Sequence, residues 1–477
     1  MNFKKNKSLF LKNTFWGLFS NILQNLFFTL FFIIIARHYD KNIFGSYVVA
    51  NMFYSFILGV SSLGLGNWYV REYLTTNDTF TLTKKFFKIQ ILISFFFIII
   101  NVFFVFIFYD LFLIRVLSVI LALNLFFDNI IYVIKYNCIA MDIQYKFYHI
   151  STLESFFKFC FGLLILITPF SLYYLLTILI FVRLFTIKSF LFYSTDGLIG
   201  FKNIFFTPIN LKEIFNFLYQ NSTFLIISIV SLANWRIGNF FISKFLTLQD
   251  VSYYEVSFKV LSISFLLPLV LCTSIYPILV KIINYSVFNL KSFYNFFFNI
   301  FILYGLLVFL FINAFADKII PLLFGQSFTI MAPYCIEIFY IILIFPTLLL
   351  QANLLIAIKL EKIDLYCNIV SILFNIILCI VGFHYFNTLS VVIISIFFSF
   401  FIFHLIQDFI LFKKGIIDLN HILRFYFFLF SIITFFYFNK STLSKIFLFF
   451  FVFIISIFFL FFYYKRIKVY TKKLFNS

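Results

Sequence analysis

Apolar residues in this chain fall in long blocks, each close to the roughly twenty residues that an α-helix needs to cross the hydrocarbon of a bilayer. Fourteen such spans are predicted: 14–36, 44–66, 86–108, 111–134, 150–169, 171–191, 219–241, 252–279, 296–320, 333–357, 365–385, 388–411, 422–438 and 444–464. The reading is an all-α polytopic membrane protein.

Several of these blocks carry polar positions at helical spacing. Asn21, Gln24, Asn25 and Thr29 share one face of the first span, and Asn51 and Ser55 stand one turn apart on the second. The seventh span carries Ser228, Ser231, Asn234, Arg236 and Asn239, and the eighth carries Glu255 and Lys259. A central charge costs roughly 2.5–3.5 kcal/mol on insertion scales, so such groups face an interior or a hydrated cavity. Two readings follow: a cavity lined by spans 1, 2, 7 and 8, or hydrogen bonds between packed helices. For the serines the packing reading leads, and for Asn21, Gln24 and Asn25 the cavity reading does. Arg236 contacts an anion in the cavity or snorkels to the boundary. Glu255 and Lys259 pair along their own helix or meet substrate. Arg183 in the sixth span is a further candidate for snorkelling. Asp128, Glu154, Glu337 and Asp408 are the intramembrane acids. Asp128 and Glu255 are the candidate ion-coupling groups, against paired or helix-end roles.

Composition strengthens the membrane reading. Hydrophobic residues make up 64% and charged residues 11%, against about 45–50% and 25% in soluble domains. The mean hydropathy is +1.09. The 85 phenylalanines are lipid-facing or packing residues and carry no chemistry. The net charge of +19 would suggest nucleic acid in a soluble protein; here it reflects topology, with no nucleic-acid partner expected. With both termini inside, most of the 36 basic residues are cytoplasmic. The outer loops hold only Arg37, Lys41, Arg115, Lys244, Lys318, Lys440 and Lys445. Six cysteines lie in or beside apolar runs without a Cys-x-x-Cys pair, which disfavours metal and disulfide roles. The first span is too long, and lacks the small-residue site, for a cleavable signal.

The chain also repeats. Ala36-Arg37 through Phe44-Gly45-Ser46-Tyr47 lies over Ser243-Lys244 through Val251-Ser252-Tyr253-Tyr254 at a shift of 207. Cys138-Ile139-Ala140 with Asp142, Gln144 and Lys146 lies over Leu355-Ile356-Ala357 with Lys359, Glu361 and Lys362 at a shift of 217. Two landmarks in one order argue for parallel repeats of six spans, a plan that places a substrate path between repeats. The expected division is 1–200, 201–415 and a 416–477 extension of two helices with a basic tail. Pro268 and Pro277 in the eighth span and Pro346 in the tenth permit bends. No Gly-rich phosphate loop, nucleophile elbow or His-Glu-x-x-His occurs, so no enzyme, cofactor or ATPase domain is expected. Energy would come from an ion gradient, the substrate gradient or the membrane potential.

Lys12-Asn13-Thr14-Phe15-Trp16, Ser20-Asn21-Ile22-Leu23-Gln24, Ile35-Ala36-Arg37 and Phe44-Gly45-Ser46-Tyr47 together resemble the start of a known family. It is the polysaccharide-transporter branch, with its O-antigen flippases, of the multidrug/oligosaccharidyl-lipid/polysaccharide (MOP) exporter superfamily. Gly64 with Arg71-Glu72, Asn234-Trp235-Arg236-Ile237 through Tyr253-Tyr254, Pro277, and Leu323-Phe324-Gly325 through Ala332 continue the resemblance over about residues 10–410. Trp235 stands where the family commonly has Asp.

The resemblance implies a V-shaped pair of six-helix bundles that alternates access. It implies a bacterial inner-membrane flippase for undecaprenyl-pyrophosphate-linked O-antigen or capsule repeats. Membrane lipids, a polysaccharide polymerase and glycosyltransferases would be its surroundings. Asn21, Gln24, Asn25, Asn51, Asn234, Arg236 and Lys259 would line its cavity. A pyrophosphate cannot cross hydrocarbon unaided, and one Arg–phosphate pair near 4 Å is worth about 4 kcal/mol before desolvation. Three alternatives stand beside this reading. They are a cation-coupled antiporter of the same fold, a lipid II flippase, and a non-transporting scaffold for glycan assembly.

Overall fold

The computed structural model describes residues 3–62, 65–167, 171–194, 222–283, 287–438 and 446–454. Every regular element among them is helical. The first helices are α1 (Phe3–His38), α2 (Lys41–Ser61), α3 (Leu65–Thr75), α4 (Thr79–Phe108), α5 (Phe112–Ala140), α6 (Gln144–Leu163) and α7 (Leu172–Ser194). Then come α8 (Ser222–Phe245), α9 (Leu248–Ser264), α10 (Leu266–Ile283) and α11 (Val287–Phe324). The last are α12 (Ala332–Ile338), α13 (Phe345–Ala357), α14 (Glu361–Tyr385), α15 (Ser390–Lys413) and α16 (Leu419–Phe438).

Twelve stretches among the described residues are long and apolar enough to cross a membrane, and they match twelve of the fourteen expected spans. The seventh expected span is α8, whose side chains are described only in part; the fourteenth lies partly outside the described residues. So do Gly64 and the expected boundary at 200/201. The side chains of residues 12–14, Arg71, Asn234, Trp235 and Pro277 are likewise outside them.

Two of the three prolines expected to permit bends stand at breaks in their spans, while α10 runs through Pro277. Pro346 sits in the first turn of α13, after a 3₁₀ segment Phe339–Leu343 that separates it from α12. Pro268 sits in the first turn of α10, after the break at Phe265. A proline lacks the N–H that would continue the preceding helix, yet loses nothing in a first turn.

Both repeat landmarks reappear as hydrogen bonds. At the shift of 217, Met141, Asp142 and Ile143 donate to the carbonyls of Asn137, Ile139 and Cys138 at 3.0, 3.2 and 2.9 Å. Ile358, Lys359 and Leu360 donate to Leu354, Ile356 and Leu355 at 3.0, 3.0 and 2.8 Å. Each turn is a Schellman motif, which satisfies a helix's last carbonyls through one left-handed residue. That residue is Asp142 (φ 58°) in the first turn and Lys359 (φ 62°) in the second.

At the shift of 207, Tyr39 donates to Ile35 and Phe44 to Asp40, while Leu246 donates to Ile242 and Val251 to Thr247. Asp40 caps α2 by accepting from Asn42 N–H at 3.0 Å. Thr247 and Asp250 cap α9 reciprocally: Thr247 N–H donates to Asp250 at 3.0 Å and Asp250 N–H to the Thr247 hydroxyl at 3.2 Å.

The chain divides into two compact units, Met1–Ser252 and Tyr253–Ser477. In the first, α8 packs on α2. Gly45 lets the start of α9 approach α2, since a Cβ on it would strike the Leu248 carbonyl. Ser252 seals this contact by donating to the Lys41 carbonyl at 2.7 Å. The first unit's core joins Tyr69, Phe86, Phe87, Ile130, Val133 and Phe190; the second's joins Tyr294, Phe298, Leu354, Leu411 and Phe425. Phe96, Phe112, Phe185 and Phe427 are exposed, as lipid-facing residues are.

Candidate functional site

In the first unit, Ser20 on α1 is buried and donates to the Tyr148 carbonyl of α6 at 3.0 Å. Gln24 donates to Ser20 at 2.6 Å and accepts from Ser151 at 2.9 Å. Gln24 thus fastens α1 to α6. Asn25 donates to the Asn21 carbonyl at 2.8 Å, and Asn21 itself is exposed. Asn51 is half-buried on α2, where its carbonyl accepts from Ser55 at 2.6 Å. Arg236 is half-buried on α8.

Asp128 stands in an ionic cluster drawn from four helices. Arg183 of α7 donates through Nε to Glu154 of α6 at 3.0 Å and through a terminal nitrogen to Asp128 of α5. Tyr54 of α2 donates to the other Asp128 oxygen, and Lys158 pairs with Glu154 one turn along α6. The Arg183, Asp128 and Glu154 side chains are 13%, 12% and 7% exposed. Two carboxylates face two cations, so the cluster carries no net formal charge. A buried cluster of this kind is held by its completeness: a single deletion strands the remaining charges. The i,i+4 spacing of Glu154 and Lys158 was legible in the sequence, but the tertiary partners Tyr54 and Arg183 were not.

In the second unit, Glu255 is 7% exposed on α9 and Lys259 is half-buried one turn further on. Glu337 accepts from Ser390 at 2.7 Å, tying α12 to α15. A larger polar group surrounds Asp408 of α15, which is 2% exposed. One of its oxygens accepts from Gln351 of α13 at 2.5 Å. The other accepts from the Tyr426 hydroxyl of α16 at 3.0 Å and lies 3.0 Å from Nδ1 of the fully buried His404. His404 Nε2 stands 3.1 Å from the Thr347 hydroxyl. Next to it, Gln407 donates to Asp364 of α14 at 2.7 Å.

No group of three His, Cys, Asp or Glu placed to hold a metal occurs among the described residues. The six cysteines are free thiols.

With this geometry in hand, comparison with solved structures identifies the fold. Lipid II flippase MurJ, in an inward closed conformation, superimposes with a TM-score of 0.71 at 16% identity, covering 95% of this chain and 99% of the flippase. An inward-facing multidrug resistance MATE family transporter of the MOP superfamily gives 0.66 at 13% identity, covering 82% and 94%. A MOP superfamily transporter from Pyrococcus furiosus gives 0.59 at 12% identity, covering 84% and 95%. No family model matches the chain, and no curated protein matches it in sequence. The chain is a multi-pass membrane protein with the fold of the MOP transporters.

Proposed function

We propose that this protein is a flippase that carries undecaprenyl-pyrophosphate-linked oligosaccharide repeat units, of O-antigen or capsule, to the outer leaflet of the bacterial inner membrane. The observation that carries the proposal is coverage. The MurJ fold accounts for 95% of this chain, whereas the MATE transporter is nearly used up at 94% of its own length with 82% of this chain matched. A fold that extends over the whole chain favours a lipid-linked substrate over a small soluble drug.

The ionic cluster points the same way. A cation-coupled antiporter of this fold would use buried acids of the N-terminal bundle, and there Asp128 and Glu154 are matched by Arg183 and Lys158. A polar head moves through a cavity while its prenyl tail stays in lipid, since the head cannot be desolvated unaided. Asn21, Asn25, Asn51, Asn234, Arg236 and Lys259 are the proposed lining, with Arg236 as the pyrophosphate contact; Glu255 remains a proposed coupling group. A lipid II flippase is the second reading, and the MurJ likeness itself favours it.

The test is surface glycan display in a strain deleted for its own flippase, complemented with this chain or with Arg236→Ala at equal membrane abundance. Display restored by the parent and lost with Arg236→Ala supports the flippase and its cationic contact. Restoration by both keeps the flippase and discards Arg236. Rescue of peptidoglycan synthesis instead, in a strain depleted of its lipid II flippase, moves the second reading ahead.

A further inference from the structure

The two units treat their buried carboxylates differently. In the first, Arg183 and Lys158 match Asp128 and Glu154 in number. In the second, Asp408 accepts hydrogen bonds from Gln351 and Tyr426, and its carboxylate lies 3.0 Å from Nδ1 of His404. None carries a fixed positive charge, and only the His404 ring can acquire one. We infer that the Asp408–His404 pair is a proton-binding site within the second unit, which switches between a buried net charge of −1 and neutrality.

Hydrogen counting supports both proton states. The Thr347 hydroxyl has one hydrogen and two oxygens or nitrogens to give it to: the Ile344 carbonyl at 2.7 Å and His404 Nε2 at 3.1 Å. The Ile344 carbonyl already accepts from Leu348 N–H at 3.1 Å, so it does not depend on Thr347. When Thr347 donates to Nε2, the ring is neutral with its hydrogen on Nδ1. Nδ1–H then donates to the Tyr426 oxygen at 2.9 Å, Tyr426 O–H donates to the Asp408 carboxylate at 3.0 Å, and the cluster carries −1.

When Thr347 turns to Ile344, its oxygen accepts from Nε2–H instead. The ring then carries a hydrogen on each nitrogen, with Nδ1–H still given to the Tyr426 oxygen, and the cluster is neutral. Each hydrogen of Thr347, His404 and Tyr426 has an acceptor in either state, and the change needs one hydroxyl rotation with no movement of heavy atoms. The incoming proton ends on Nε2; no bond between heavy atoms is made or broken. A Thr347–His404–Tyr426–Asp408 chain that is bonded in both states exchanges a proton without stranding a further buried group, the usual obstacle in a dry interior.

The surroundings leave this pair in control of the charge. From α11 come Tyr294 beside Asp408, and Lys291, which is engaged by Asp418 at 2.6 Å. From α14 comes Asp364, bound by Gln407, and from α16 come Tyr426, His421 and the exposed Arg424. The packed α10 contributes Cys272, and α13 contributes the untitratable Thr347 and Gln351. Lys413 and Lys414 end the helix that carries the pair and are exposed. Because α13, α15 and α16 all contribute to the site, its charge bears on the packing of three helices at once. On the flippase reading this would link transport to a proton gradient.

The test needs no substrate, so its failure is separate from failure of that reading. The full chain, labelled with ¹⁵N-histidine and held in lipid nanodiscs, is titrated by NMR, and the His404 ring is assigned from the resonance missing in His404→Asn. The expected result is a single proton step in which Nε2 gains hydrogen while Nδ1 keeps it. Asp408→Asn should move the midpoint down by about one pH unit or more, through loss of the opposing charge. Tyr426→Phe should move it up, because the carboxylate loses a donor and is left, 3.0 Å away, as the direct acceptor of Nδ1–H. A ring that keeps one tautomer with a single hydrogen throughout the titration overturns the proposal. So does a midpoint that neither variant moves. If Asp408→Asn does not fold, the parent's titration and Tyr426→Phe decide alone.

Discussion

Arg183 Nε donates to Glu154 at 3.0 Å while the same guanidinium reaches Asp128, so one side chain on α7 bridges carboxylates from α6 and α5. The planar fork of arginine makes this double contact, and a lysine ammonium offers no such fixed pair of donors. Arg183→Ala would leave two buried carboxylates against Lys158 alone. A loss of about 3–5 kcal/mol is expected, measured by unfolding the purified protein in detergent. Arg183→Lys should recover only part of it. A loss under about 1 kcal/mol, the range of exposed pairs, would mean that water reaches the cluster.

Gly45, at the start of α2, stands too close to the first residue of α9 for a Cβ to fit. A Cβ there would meet backbone, the Leu248 carbonyl, and backbone cannot turn away as a long side chain can. Gly45→Ala should therefore destabilise by about 1–3 kcal/mol, the usual range for overpacking. Thermal midpoint and folded yield after extraction report it. Ser252→Ala, which removes only the hydrogen bond to Lys41, should cost about 1 kcal/mol. If Gly45→Ala is the milder of the two, α2 and the start of α9 do not hold this spacing.

The spans were legible because blocks of about twenty apolar residues admit few other structures. The repeat was legible as a pattern of residues, and its hydrogen bonds followed. What the sequence withheld is which neighbour a polar face meets. Gln24 lies on the face of α1 expected to line a cavity, yet it is bound to Ser20 and Ser151. Asp128 reads as a coupling candidate because it is an intramembrane acid; its partner Arg183 lies 55 positions away. His404 and Asp408 are visibly one turn apart, but their meaning depends on Thr347, Gln351 and Tyr426 from other helices.

The two Schellman turns place different residues in the same left-handed conformation. Asp142 has φ 58° and Lys359 has φ 62°. This region costs an L residue roughly 1–2 kcal/mol, and the short polar side chain of Asp tolerates it better than Lys does. Lys359→Gly should therefore stabilise the protein, and by more than Asp142→Gly does. Lys359→Val, β-branched at positive φ, should destabilise it. Denaturation midpoints of the three variants against the parent test the order. Equal effects of the two glycine substitutions would mean that side-chain contacts, and not backbone conformation, decide stability at these turns.

Tyr109 gives the first unit a sensitivity to alkali. It lies between the α4 and α5 spans, with its hydroxyl against Ser243 of α8 and Lys244 Nζ 4.1 Å from its ring centre. Burial pushes its phenol up from 10.0 to about 12, with the Ser243 hydrogen bond pulling the other way. The folded protein therefore keeps the phenol neutral where the unfolded chain would ionise. The stabilisation is complete below about pH 10 and is lost as pH rises toward about 12. Tyr109→Phe removes this dependence. Below pH 10 it should be slightly less stable than the parent, for want of the Ser243 hydrogen bond, by about 1 kcal/mol. Above that pH the two curves should converge and then cross, because Phe has no proton to lose. Parallel curves across the whole range would mean that the Tyr109 hydroxyl is already in contact with water in the folded protein. The Ser243 bond would then contribute nothing that depends on pH.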